Sequence, residues 1–128
     1  MLEVDSQPNR MVRYLAAAGI IGPLLYTGTW LVLGFLDPAY SHVRDPISNL
    51  SAIGAPYAPI MTLAIIVFAI LTVAFAIGLQ LGLPPGFWAG PAALVIAAIG
   101  YVGIALAPLD LADLGDDNVP HTIAATVT

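Results

Sequence analysis

The sequence predicts an all-α integral membrane bundle, and two observations support this prediction. Three apolar runs, residues 14–36, 58–79 and 87–109, contain no charged residue. At about 1.5 Å per residue, a helix of each length reaches about 30 Å, the thickness of the hydrocarbon core of a bilayer. The composition agrees, since 59% of the residues are hydrophobic, 9% are charged and the mean hydropathy is +0.93. Too little polar surface remains for a water-soluble domain.

The predicted organisation is a short tail followed by one membrane domain. Residues 1–13 form the N-terminal tail, and residues 14–128 form the transmembrane domain, whose polar outer segments are 37–57 and 110–120. Residues 121–128 begin a further apolar stretch that is too short to cross a bilayer. We therefore expect three full spans, the start of a fourth, and a truncated bundle.

The placement of the arginines predicts the orientation of the chain in the cell membrane. Arg10 and Arg13 directly precede the first span, whereas Arg44 lies between the first and second spans. Because positive residues favour the cytoplasmic side, the N-terminus is predicted to be cytoplasmic and the segments 37–57 and 110–120 to lie outside. A cleaved signal peptide is the alternative, but the first apolar run is longer than such peptides usually carry.

Composition also argues against several classes of function. A net charge of −5 without any lysine is unsuited to nucleic acid binding. The absence of cysteine removes disulfides, thiolate nucleophiles and thiolate metal ligands. The spans contain no Asp, Glu, Lys, Arg or His, so a proton relay or a voltage sensor within them is not expected.

The first outer segment contains a predicted short helix. Asp45 is typical of an N-cap, Pro46 of a first helical position, and Gly54 of a helix end. We expect about two turns of helix along the outer interface, with Ser48 and Ser51 away from its apolar face. Three residues share that apolar face: Ile47, Leu50 and Ile53.

The third span carries a ridge of small residues. Gly86 and Gly90 form a GxxxG pair, and Ala89, Ala93 and Ala97 continue it. Such ridges allow a second helix to approach closely in a membrane. Partner membrane helices, either of the same protein or of another, are therefore expected here.

The polar residues of the two outer segments form the candidate functional site. Carboxylates and imidazoles at a membrane surface are suited to bind a divalent metal such as zinc, or to hold a water for hydrolysis. The candidate metal ligands are His42, Asp110, Asp113 and His121. The candidate catalytic residues are Asp110, His121 and Ser48, and the candidate ligand-binding residues are Ser48 and Asn49. Their spacing matches no zinc signature, and ordinary loop polarity explains the same residues.

Two stretches of the sequence resemble a known family. Residues 40–52, YSHVRDPISNLSA, are similar to the ISxLGA-like segment of uncharacterised prokaryotic membrane proteins known as domain of unknown function 998. Pro108, Asp110 and His121 resemble the proline-x-aspartate and histidine positions of that family. Its members resemble six-span bundles, so the resemblance implies that this chain is the N-terminal half of a six-helix protein. Ser51 stands where glycine is common, which puts a close backbone approach there in question.

Three functions fit these observations, and the resemblance implies none of them. The first is a binding or structural role in the lipid bilayer, in which the polar, acidic outer face holds a lipid ligand or a partner. The second is a membrane-embedded, metal-dependent hydrolase acting at the outer interface, which needs more metal ligands than this chain supplies. The third is half of a transporter, which needs ionisable residues or broken helices in later spans. Whether the protein is an enzyme stays open.

Overall fold

The computed structural model describes residues 10–110 and the single positions 123, 126 and 127. Each of the three long helices in this part is long and apolar enough to cross a membrane. The prediction of an all-helical, multi-span membrane bundle is therefore confirmed. In chain order, the helices are α1 (Arg10–Leu36), α2 (Ala58–Gly82) and α3 (Ala89–Leu106).

The helix ends differ from the predicted span ends where prolines and arginines occur. α1 includes residues 10–13, which precede the predicted span, and arginine is a good helix former. α2 continues to Gly82, and Pro84 and Pro85 separate it from α3. The predicted fourth span, 121–128, lies mostly outside the described residues, so it remains a prediction.

Glycines allow α1 and α2 to pack closely. A Cβ atom added at Gly78 of α2 would lie 2.6 Å from the Cβ atom of Leu15 and 3.1 Å from the carbonyl carbon of Leu15 on α1. On the other side of the contact, Gly19 faces the ring of Phe75, which an added Cβ would approach to 2.6 Å. Close contact between membrane helices depends on such small residues.

The small-residue ridge expected on the third span is only partly helical. Gly86 lies in the turn before α3 with a φ of 100°, so the predicted GxxxG pair does not lie on one helix. The proline pair before Gly86 ends α2, and glycine then allows the left-handed turn that starts α3. Gly90 has no atom near the position of a Cβ, and Ala89 and Ala93 are exposed.

Three aromatic rings connect all three helices. Tyr26 of α1 stacks on Phe68 of α2 with ring centroids 4.9 Å apart. Tyr101 of α3 meets Phe68 edge to face at 4.9 Å and Tyr26 at 6.2 Å. These interlocked geometries favour one relative rotation of the three helices.

Candidate functional site

The connection between α1 and α2, residues 37–57, covers one end of the bundle. At this end, which we call the loop end, α1 ends, α2 begins and α3 ends. The N–H of Ile53 donates a hydrogen bond to the carbonyl oxygen of Leu109 at 2.9 Å. The 37–57 connection is therefore hydrogen-bonded at the loop end to the chain that follows α3.

Within the connection, a single 3₁₀ helix, Ile47–Ser51, replaces the expected two-turn α-helix. Pro46, not Asp45, is the N-cap residue, and no side chain caps the helix. The Asp45 carboxylate instead accepts a hydrogen bond from the N–H of Ser41 at 2.7 Å. The carboxylate is hydrogen-bonded within its own loop and does not accept a hydrogen bond from the N–H groups of the 3₁₀ helix. The predicted capping role of Asp45 is therefore wrong.

Leu50 anchors this 3₁₀ helix in the bundle. Its side chain is only 1% exposed, and it belongs to one apolar cluster with Leu33 of α1 and with Met61 and Ile65 of α2. The connection therefore packs against the ends of α1 and α2 through this side chain. The position of the 3₁₀ helix against α1 and α2 therefore depends on the insertion of this one leucine.

The expected division of the short helix into faces is also wrong. Ser51 is buried, and its hydroxyl donates a hydrogen bond to the carbonyl oxygen of Ser48 at 3.0 Å. Ile53 lies beyond the helix and is 58% exposed, although it was expected beside Leu50. Because a 3₁₀ helix has about three residues per turn and this one is short, the spacing of an α-helix does not apply.

A cavity of about 530 Å³ opens beside the 3₁₀ helix. We call it the loop-end pocket. Its polar side chains are those of Asp37, Tyr40, Asp45 and Asn49, and Ile53 and Gly54 form part of its wall. Two acidic residues and one asparagine thus line a space of the size that small ligands occupy in proteins.

Asp37 is the most unusual residue of this pocket. It follows the last residue of α1 and is only 8% exposed. Its Oδ1 atom accepts a hydrogen bond from the N–H of Ala39 at 3.0 Å, and this partner carries no formal charge. The C-terminal end of a helix is itself partly negative, so α1 does not stabilise the carboxylate. A buried negative charge of this kind favours a cation or additional hydrogen-bond donors in the pocket.

Sequence analysis missed Asp37 because its burial depends on the connection. A carboxylate directly after an apolar span is typical of a solvated span end, so its position in the sequence does not indicate burial. The signal available in the sequence was Pro38, which follows Asp37 and turns the chain back at this point.

Tyr40 joins the wall of the loop-end pocket to α1. Its hydroxyl accepts a hydrogen bond from Nε1 of Trp30 at 2.9 Å and donates one to the carbonyl oxygen of Asp45 at 3.3 Å. The hydroxyl therefore fixes the loop that carries Asp45 relative to the membrane helix.

Replacing Tyr40 with phenylalanine should lower the free energy of unfolding by about 1 kcal/mol, because it leaves Nε1 of Trp30 without its partner. Thermal unfolding in detergent, followed by tryptophan fluorescence, measures this loss. Tyr14→Phe is the matched control, since Tyr14 is 76% exposed on α1. Equal unfolding temperatures for the two variants would contradict the stabilising role of the hydroxyl.

His42, a predicted metal ligand, is surrounded by aromatic rings. Its ring centroid lies 5.5 Å from Trp30, 4.7 Å from Phe35 and 5.3 Å from Tyr40. The imidazole packs over Gly34, where a side chain would collide with it. Within the described part of the chain, the buried Nε2 atom has no hydrogen-bond partner.

The structure brings together only some of the predicted site residues. Asn49 lines the loop-end pocket, whereas Ser48 is outside its lining. Asp110 follows Leu109 at the loop end, and Asp113 and His121 lie outside the described residues. Among residues 10–110, 123, 126 and 127, no three His, Cys, Asp or Glu side chains are arranged to hold a metal ion. The metal and catalytic assignments therefore stay predictions.

Comparison with known proteins identifies one family. The sequence model described as "Protein of unknown function (DUF998)" matches residues 20–128, which include the whole of the 37–57 connection. No curated protein and no solved structure matches the chain significantly. The matched region covers well over half of the sequence, and it includes residues 40–52, on which the resemblance rested. The chain belongs to the DUF998 family of proteins of unknown function.

Proposed function

We propose that this protein is a membrane-embedded binding protein whose loop-end pocket holds a cationic or amine-bearing group at the outer face of the cell membrane. The observation that carries the proposal is the buried carboxylate of Asp37, whose hydrogen bond comes from a backbone amide. The outer position is supported by Arg10 and Arg13 in the first turns of α1, which favour a cytoplasmic N-terminus.

The chemistry of the pocket supports a positively charged ligand. An ammonium group has three hydrogen-bond donors and no acceptor, and carboxylates are acceptors only. Asp37 and Asp45 supply carboxylate oxygens, and Asn49 supplies an amide oxygen. The bonds between a cation and a carboxylate are stronger than those between neutral groups, so the ligand compensates the negative charge.

The same features make anionic ligands unfavourable. Two carboxylates line the loop-end pocket, and like charges in a partly buried site repel. The hydrolase alternative depends on His121, which lies outside the described residues, and no described contact favours it over binding. A binding role therefore explains the two carboxylates of the pocket without requiring a catalysed reaction.

Asp37→Asn tests this proposal, because the amide keeps an oxygen for the N–H of Ala39 and removes only the charge. The probe is ethanolamine, a soluble amine, added to the full chain purified in detergent. A ligand that binds the native state raises the unfolding temperature, so thermal unfolding reports its affinity. We expect Asp37→Asn to weaken the binding of ethanolamine about tenfold, and Asn49→Ala to weaken it less.

Ser48→Ala is the matched control, since Ser48 belongs to the same 3₁₀ helix and lies outside the pocket lining. Ethylene glycol, which lacks the charge, is the control ligand. The proposal fails if Asp37→Asn binds ethanolamine as the unmodified protein does, or if ethylene glycol stabilises the protein equally.

A further inference from the structure

An apolar groove begins at the loop-end pocket and continues between α2 and α3. Its upper part is a cavity of about 510 Å³ that shares Ile53 and Gly54 with the pocket. Below these two residues, Leu63 and Ile66 of α2 and Ala105 of α3 form its walls. The polar pocket and the apolar groove are therefore neighbours with a common boundary.

The lower part of the groove lies deeper along the same helices. It is a cavity of about 340 Å³. Ile70 follows Ile66 by one turn of α2, and Val102 precedes Ala105 by one turn of α3, so both parts follow the same helix faces. Only aliphatic side chains line it: Ala69, Ile70, Val73, Ala98, Ile99 and Val102.

The length of the groove suits one leaflet of a bilayer. From Pro59 at its upper end to Val73 at its lower end, α2 rises about 21 Å. Half of a hydrocarbon core about 30 Å thick is about 15 Å. The groove is therefore long enough to follow an acyl chain from the head group region to the middle of the membrane.

We propose that the groove and the pocket together bind one lipid with an amine-bearing head group, such as phosphatidylethanolamine. The amine lies in the loop-end pocket between Asp37 and Asp45, and one acyl chain lies along α2 and α3. This inference rests on the proposed function and adds the class of ligand. A negatively charged pocket that adjoins a largely apolar groove is complementary to an amphiphile. A membrane helix, in contrast, would fill the groove and leave the carboxylates of the pocket without a cationic partner.

Val102→Phe tests the acyl chain site by filling the groove. The matched control is Ile96→Phe, because Ile96 is on the same helix, is 54% exposed and lies outside the groove lining. Each full-length variant is purified in detergent with added dioleoyl phosphatidylethanolamine, and retained lipid is counted by native mass spectrometry. Ethanolamine binding is measured in parallel by thermal unfolding.

We expect Val102→Phe to reduce retained lipid about tenfold while ethanolamine binding is unchanged, and Ile96→Phe to alter neither. In the unmodified protein, dihexanoyl phosphatidylethanolamine should be retained less than the dioleoyl lipid. This second comparison needs no variant, so it tests the groove even if Val102→Phe does not fold.

Three outcomes overturn the inference in distinguishable ways. If Asp37→Asn abolishes lipid retention but Val102→Phe and chain length have no effect, the acyl site is refuted and the proposed function stands. If Val102→Phe instead abolishes association between copies of the chain and lipid retention is unchanged, the occupant of the groove is a helix. If Asp37→Asn changes neither ethanolamine nor lipid binding, both proposals fail.

Discussion

Replacing Leu50 with alanine should lower the free energy of unfolding by about 3 kcal/mol. The side chain of Leu50 is 1% exposed and joins the 3₁₀ helix to Leu33, Met61 and Ile65. Alanine would leave a cavity at the point where the connection enters the bundle, and the connection supplies most of the loop-end pocket. We therefore expect ethanolamine binding to weaken together with stability.

The measurement for Leu50→Ala is equilibrium unfolding in mixed micelles, with ethanolamine binding measured on the folded fraction. Val43→Ala is the control in the same connection, because Val43 is 94% exposed. Its expected effect is below about 0.5 kcal/mol. A loss of similar size in both variants would show that Leu50 does not anchor the connection.

Replacing Gly78 with alanine should destabilise the bundle by about 2 kcal/mol. The added methyl group would lie 2.6 Å from the Cβ atom of Leu15 and 3.1 Å from its backbone carbonyl carbon. Because the contact includes backbone atoms of α1, a change in the rotamer of Leu15 cannot relieve it, and the two helices must move apart. The loss of packing around Gly19 and Phe75 then adds to the effect.

Gly28→Ala is the matched control for Gly78→Ala. Gly28 is also inside a membrane helix, but no atom lies within 4 Å of the position of an added Cβ. Alanine is the better helix former by up to about 1 kcal/mol, so this variant should be neutral or slightly more stable. Unfolding temperatures in detergent compare the two. Destabilisation of equal size would refute close packing as the cause.

The membrane spans could be predicted because their signal is local. Length and hydropathy of an uncharged run depend on no other part of the chain, so α1, α2 and α3 lie where the apolar runs are. The helix ends differ from the predicted span ends, because helix propensity and proline change the helix boundaries by a few residues. α1 includes Arg10, which precedes the predicted span, and α3 begins only at Ala89, after the turn that follows Pro84 and Pro85.

The close contact between α1 and α2 was not predicted from the sequence, which directed attention to the small residues of the third span. The spacing of Gly86 and Gly90 matches a GxxxG pair, but the prolines place Gly86 in a turn. The observed close contact uses Gly78 of α2 and Gly19 of α1. The sequence shows where small residues occur. The rotation of each helix about its own axis decides which of these residues face a neighbouring helix.

The candidate site was predicted in part for the same reason. Asn49 was expected to bind a ligand, and the structure places it in the loop-end pocket, but Asp37 was not expected there. Its burial follows from the connection folding back over the helix ends, with Leu50 inserted below. No pattern in the sequence near Asp37 indicates this burial, because it depends on the insertion of Leu50, which is thirteen residues away.

The sequence alone determines that the chain spans a membrane and belongs to DUF998, because composition and motifs are properties of neighbouring residues. Only the tertiary structure decides which polar groups share a pocket. Leu50 closes the connection over the bundle, and that closure brings Asp37, Asp45 and Asn49 around one cavity. The burial of a side chain and the charges around it depend on contacts between residues that are far apart in the sequence. These contacts form only when the helices and the connection pack together.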